Sequence, residues 1–329
     1  MYTAALEQAE QLALAADSVG YVSKPLLQFY SLSQAGRAIA SSSSLSDWRL
    51  SGHGLSASLS TDDILDTKVR PVGGPATSFA GVARAVGSPG LSGPASIREL
   101  WAANPDLNEL GAGIIESLPR AFAISLQPRV HLPDGLTHTT RRPIDGSERT
   151  QIPQKIWGWG VPVPGETAAE VQQYLAAYSS FREARPWGRT SASGGSLAFF
   201  EDADRVPRYE SGDGCSTVNV GFPCAEWMTR DEIWNFEEQV ISLIDPGARD
   251  EEWRRGLILP DVADGPSPHP LLLWWALMYA LSILARYQPV EWRDSLDIDN
   301  SEQAHSLERL MDSARLAIPR QILFALTQS

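Results

Sequence analysis

Leu271-Leu272-Leu273-Trp274-Trp275-Ala276-Leu277-Met278-Tyr279-Ala280-Leu281-Ser282-Ile283-Leu284-Ala285 is the one stretch of this chain that approaches a membrane segment. It falls short of the roughly 20 apolar residues needed to span a bilayer. Pro268 and Pro270 precede it and Arg286 ends it. Because it is apolar on every face, it predicts a helix enclosed by protein on all sides. Such a helix needs partners, and Leu26–Ala40 offers one. Leu26, Phe29, Tyr30, Ser33, Arg37 and Ala40 recur there at three- and four-residue spacing. Pro25 suits the first turn of that helix, and the small residues Ser33, Gly36 and Ala40 let another backbone come close. If a helix near each end of the chain packs on the other, everything between them is an insertion into one helical core. Two sequential domains are the alternative.

Working outward, Thr3–Ala16 is rich in Ala, Leu, Glu and Gln and predicts a helix. From Ser51 to Pro94 the composition turns to Ser, Gly and Pro, with a short helix expected near Thr61–Asp66. Ser96 and Glu99 form a capping box for another. Alternating apolar and polar residues over Ala121–Leu132, Ile152–Val163, Ser196–Phe200, Arg205–Tyr209 and Ser216–Phe222 predict strands. Helices are expected after Thr167, after the Thr229/Glu232 capping box, and after Asn300 with Gln303, the last broken or kinked at Pro319. The fold class is α+β: a helical core from residues 1–60 and 226–329, with a strand-rich mixed insert at 61–225.

The chain has 329 residues and a formal net charge of −13, with 11 Trp, 9 Phe and 8 Tyr to fill a core. Disorder and a disulfide scaffold are excluded, since only two cysteines are present. The acidic balance disfavours bulk binding to nucleic acid or anionic membrane. The first twenty residues lack a basic start and carry Glu7, Glu10 and Asp17, so no signal peptide is expected. A cytosolic protein with Cys215 and Cys224 reduced follows as an expectation.

Catalytic and cofactor signatures are missing. There is no phosphate-binding G-x-x-x-x-G-K-[ST] loop, and Gly158-Trp159-Gly160 reads as a strand bend. Metal-ligand spacing is absent, and Asp294, Asp297, Asp299 and Glu302 lack the regular spacing of a calcium loop. No metal and no cofactor are expected. Cys215, in a Gly-Asp-Gly-Cys turn, shows no basic partner in sequence. His269, between two prolines, is expected to fix the start of the apolar helix. None of the five histidines is preceded by an Arg with four to six residues between the two, the mark of the HEPN nucleases.

Two patterns remain. Phe29-Tyr30-Ser31-Leu32-Ser33-Gln34-Ala35-Gly36-Arg37-Ala38 is followed by His53-Gly54-Leu55, and Arg286-Tyr287-Gln288-Pro289-Val290-Glu291-Trp292 follows the apolar helix. Arg37 shares a stripe with Tyr30 and Ser33, so partial burial is expected. Arg286 suits a helix C-terminus, Pro289 should forbid further helix, and Trp292 should fold back over the end. In order and spacing these motifs resemble the YaaC-like bacterial protein family. The resemblance rests on both ends of the chain, while the middle third adds little and the Ser/Gly/Pro region after His53 is long. No catalytic activity comes with the resemblance; it implies a fold and a bacterial cytosolic setting.

Tyr30, Arg37, His53 and Arg286 are the candidate ligand-binding residues, with Tyr287, Pro289 and Trp292 as a structural motif. One reading is a hydrogen-bonded cluster that locks two helices and a loop. The other is a pocket for a small anionic ligand, lined by two arginines and a histidine. The leading expectation is a binding or interaction protein, an accessory subunit of a multi-protein system, with a protein partner and a small anionic or nucleotide ligand. The alternative is an enzyme acting on a nucleotide or nucleic-acid phosphate, with His53 as proton carrier.

Overall fold

The computed structural model describes residues 2–43, 49–107, 110, 114, 115, 118–128, 141–144, 147–151, 155–162, 173, 174, 176–179, 185, 186, 208–211, 217–223, 227, 228 and 255–328. Its helices α1 (Tyr2–Asp17) and α2 (Lys24–Ser42) come from the N-terminal end. From the C-terminal end come α5 (Pro270–Tyr287), α6 (Pro289–Ser295) and α7 (Ala304–Gln328). Between them lie α3 (Ser78–Ala85), α4 (Ile97–Ala103) and strands β1 (Leu55–Ser58), β2 (Lys68–Pro71) and β3 (Ala95–Ser96). The chain divides into two compact units, Met1–Ala121 with Leu259–Ser329, and Phe122–Ile258.

In the first unit α5 is the centre. Leu271 through Ser282 are buried without a break, as a helix apolar on every face requires. By length and composition this helix could cross a membrane, yet it is buried inside the unit. It packs on α2, as the small residues of α2 predict. The contact is so close at Gly36 that a Cβ there would lie 2.3 Å from the Trp275 ring. His269 caps α5: its Nδ1 accepts the Leu271 N–H at 3.1 Å, and its ring stacks on Phe324. The Trp274 indole donates to Asp106 at 2.9 Å. The strands β1-β2-β3 form a small antiparallel sheet, and Ser96 with Glu99 caps α4 in a capping box.

Residues 61–121, placed by sequence in the insert, share the hydrophobic core of this unit. Ile64, Leu65, Val69, Phe79, Val82, Ile97, Leu100 and Trp101 are buried in it together with α2 and α5. Pro319 does not break α7, which runs through it. The proline is exposed while Ala317, Ile318 and Ile322 are buried on the core side and hold the turn. Nor does Pro289 forbid helix. It ends α5 and begins α6, where its missing N–H has no partner to lose. Near the start of α7 the Gln303 N–H is taken by Ser301 Oγ, and Asn300 instead donates to Asp297.

The second unit holds β4 (Phe122–Pro128), β5 (Arg141–Ile144), β6 (Ser147–Gln151), β7 (Lys155–Pro162) and β8 (Arg185–Pro186). It continues with β9 (Arg208–Ser211), β10 (Thr217–Pro223), β11 (Trp227–Met228) and β12 (Arg255–Ile258). Six strands pair in the order β12-β4-β7-β10-β9-β8 and three in the order β11-β6-β5. All pairs are antiparallel except β8 with β9. Gly158 pairs with Leu126 and with Val220, so the Gly-Trp-Gly segment is central strand. Helices at both ends and strands in the middle make the chain α+β. Cys215, Cys224, His131, His138, the Ser196–Phe200 strand and the helix after Thr229 lie outside the described residues, as does most of the helix after Thr167.

Candidate functional site

Helix α2 carries Phe29 and Tyr30 on one turn and Arg37 two turns further on. Phe29, 1% exposed, is the hub. Its ring meets His53 edge-on at 5.2 Å and Tyr279 at 5.3 Å, and lies 5.8 Å from Tyr30. His53 and Tyr279 are 6.2 Å apart. The loop that carries His53 is sewn to the start of α3: the Phe79 N–H donates to the His53 carbonyl at 3.1 Å, and Ser78 Oγ donates to the Gly52 carbonyl at 2.6 Å. Gly54 follows with φ +79°, and a Cβ there would meet Thr77 Oγ1 at 2.5 Å. Only glycine satisfies both demands. Leu55 then accepts the Tyr279 hydroxyl at 2.9 Å, which ties β1 to α5.

Arg286 leaves the last turn of α5, where the helix dipole favours a cation. Its Nε donates to the Ser282 carbonyl at 3.3 Å, and its guanidinium lies 5.3 Å from the Tyr287 ring centre. Tyr287 is 66% exposed. Arg37 is exposed, contrary to the partial burial expected from its stripe. Its neighbours Ala35, Gly36, Ala38 and Ile39 face other elements of the core and leave the arginine the remaining arc. Among the described residues neither Arg37 nor His53 makes a side-chain hydrogen bond or ion pair.

The electrostatics link the three. Burial lowers the proton affinity of His53 below the ordinary imidazole value, and the Arg286 and Arg37 charges press it down further. Both guanidinium groups therefore act on one imidazole, which stays neutral at pH 7. Burial likewise raises the Tyr279 hydroxyl, partly offset by Arg286, so it remains a donor.

Arg37 and Arg286 thus act on His53, while Tyr30 meets the Phe29 ring on which His53 rests. Tyr287 is beside Arg286. Trp292 is not: it is buried, and its indole donates to the Val22 carbonyl at 3.0 Å between α1 and α2. Two framing residues, Phe29 and Tyr279, were not among the candidates. The signal for Tyr279 was its hydroxyl in an otherwise apolar run, since a buried tyrosine seeks a partner. Among the described residues no group of His, Cys, Asp and Glu could hold a metal ion.

The fold and the cluster define an α+β protein in which a helix from each end of the chain carries an arginine and the loop after α2 carries a histidine. A family model described as YaaC-like Protein matches residues 1–156 and 226–326, and the chain belongs to the YaaC-like family. The unmatched stretch falls within the second unit. No curated protein and no solved structure matches the chain significantly.

Proposed function

We propose that this chain is a bacterial cytosolic binding protein that takes a small anionic ligand on Arg37, His53 and Arg286, and serves as a recognition or accessory subunit. The observation that carries this reading is the pair of exposed guanidinium groups acting on one half-buried imidazole. Among the described residues no carboxylate neutralises them. An anion placed there gains charge-assisted hydrogen bonds from planar guanidinium forks. A neutral imidazole adds one N–H donor, and Tyr30 and Tyr287 add aromatic edges. Inorganic phosphate and pyrophosphate are the probes. Both should raise the unfolding temperature of the parent above sodium chloride at equal ionic strength, as ligand linkage requires. The folded R37A/R286A variant should lose that increment. An increment that is absent in the parent, or unchanged in the variant, refutes the reading.

A second reading has one observation in its favour. A neutral imidazole beside two cations is also what a general base for phosphoryl chemistry needs. Release of phosphate from nucleotides, or shortening of an oligonucleotide, that disappears in His53→Gln would establish it.

A further inference from the structure

A cavity of about 520 Å³ shares no residue with the arginine–histidine cluster. It lies between α1, α2 and α7, with alanines 9, 13, 16 and 314 leaving the room that larger side chains would fill. Leu6 and Ile322 line opposite sides. Leu14 and Leu323, 61% and 64% exposed, make apolar lips toward solvent. Its volume falls in the range of small-molecule sites, about 300–1,000 Å³.

Three polar features narrow the ligand. Gln28 lines the cavity and is 6% exposed. Its Nε2 donates to the Met311 carbonyl at 2.8 Å, which fixes the amide orientation, and leaves Oε1 buried with no hydrogen-bond partner. Ser31, also in the lining, has already given its proton to the Ala9 carbonyl at 2.7 Å. Pro319, on the α7 side, has no N–H to offer the carbonyl of Arg315 one turn back. Gln28 and Ser31 therefore offer acceptors on the inner side and want a donor, with the Arg315 carbonyl at the exposed rim. Charge at the opening points the same way: α1 contributes Glu10 and Asp17, and Arg315 sits 3.9 Å from Asp17. One acid is left over.

We infer that this cavity binds a small neutral or cationic amphiphile, an apolar body carrying one hydrogen-bond donor, and rejects carboxylates of the same length. The ligand's N–H or O–H would answer Gln28 Oε1, and its hydrocarbon would replace water against Leu6 and Ile322.

The test uses the full chain and N-phenyl-1-naphthylamine, an apolar fluorophore with a single N–H. One saturable site per chain is expected, from which 1-decanol displaces the probe at least tenfold better than decanoate. The N-methylated fluorophore, which has no donor, should bind at least tenfold more weakly. That comparison needs no variant. Ala13→Trp fills the cavity from a partly exposed position and should weaken the probe at least tenfold at an unchanged unfolding midpoint. Gln28→Leu should erase the preference for the N–H probe over its methylated analogue. Absence of saturable binding, equal competition by decanol and decanoate, or equal affinity for the two fluorophores overturns the inference. So does undiminished binding in folded Ala13→Trp.

Discussion

Replacing Gly36 by alanine sets two ordinary helix effects against each other. In the middle of α2, alanine is worth about 1 kcal/mol more than glycine. Against this, the new Cβ would lie 2.3 and 2.4 Å from Trp275 Cη2 and Cζ3, and 2.9 Å from Val82 Cγ2. Carbon contacts are comfortable near 3.5 Å, so the overlap exceeds about 1 Å. Trp275 is fully buried and has no open side toward which to slide. Overpacking of this kind costs about 3 kcal/mol at the upper end of its usual range. The net loss expected is about 2 kcal/mol. In a unit of this size that lowers the unfolding temperature by about 4–8 °C.

Urea unfolding followed by far-ultraviolet circular dichroism measures the loss. Trp275→Phe supplies the control, because it removes the ring atoms that Cβ meets, together with an indole N–H buried without a partner. In that background Gly36→Ala should cost at least about 1 kcal/mol less, the mark of two residues in contact. A Gly36→Ala protein as stable as its parent, or strictly additive effects in the double variant, would show that α2 and α5 are not in this contact.

Leu281→Ala, at a fully buried position of α5, should cost about 2–5 kcal/mol, and an unchanged denaturation midpoint would remove it from the core. His269 gives a pH dependence of definite sign. Burial holds its folded pKa down to about 4 from 6.5, against a smaller upward pull from Asp106. The unfolded imidazole therefore takes its proton first as pH falls. Stability is whole above about pH 6.5 and drains away toward pH 4, by at most about 3 kcal/mol. His269→Asn keeps a capping side chain and should flatten that part of the profile, so a parent-minus-variant difference independent of pH refutes it. Tyr279→Phe leaves the Leu55 carbonyl without its hydroxyl donor and should cost about 1 kcal/mol by urea unfolding.

What sequence could disclose about this fold follows from where periodicity exists. A run apolar on every face states its own burial, so α5 and its need for a partner were plain, and small residues identified α2 as that partner. The reach of the first unit to Ala121 was hidden. Its buried residues there, such as Leu65, Val69 and Phe79, stand in short elements among Ser, Gly and Pro, where no period forms. Proline was read as a stop at 289 and 319; at 289 it ends α5 but also opens α6, where no N–H is needed, and at 319 burial of Ala317, Ile318 and Ile322 carries α7 past the lost N–H. At the candidate site the residue types were visible and the surroundings were not. Arg37 sits on an apparent apolar stripe, yet its exposure depends on which neighbours crowd α2. Phe29, between His53 and Tyr279, joins three segments far apart in the chain, and no local pattern encodes that.

The shared core of α2 and α5 also has a consequence for synthesis. Residues 43–269 must be translated after α2 is complete and before α5 begins. At about 5–20 residues per second this interval lasts roughly 10–45 s. Throughout it the face around Gly36 has no Trp275 to cover it. The nascent chain thus carries this face without α5 throughout that interval, and the second unit is made in its entirety before the first can close.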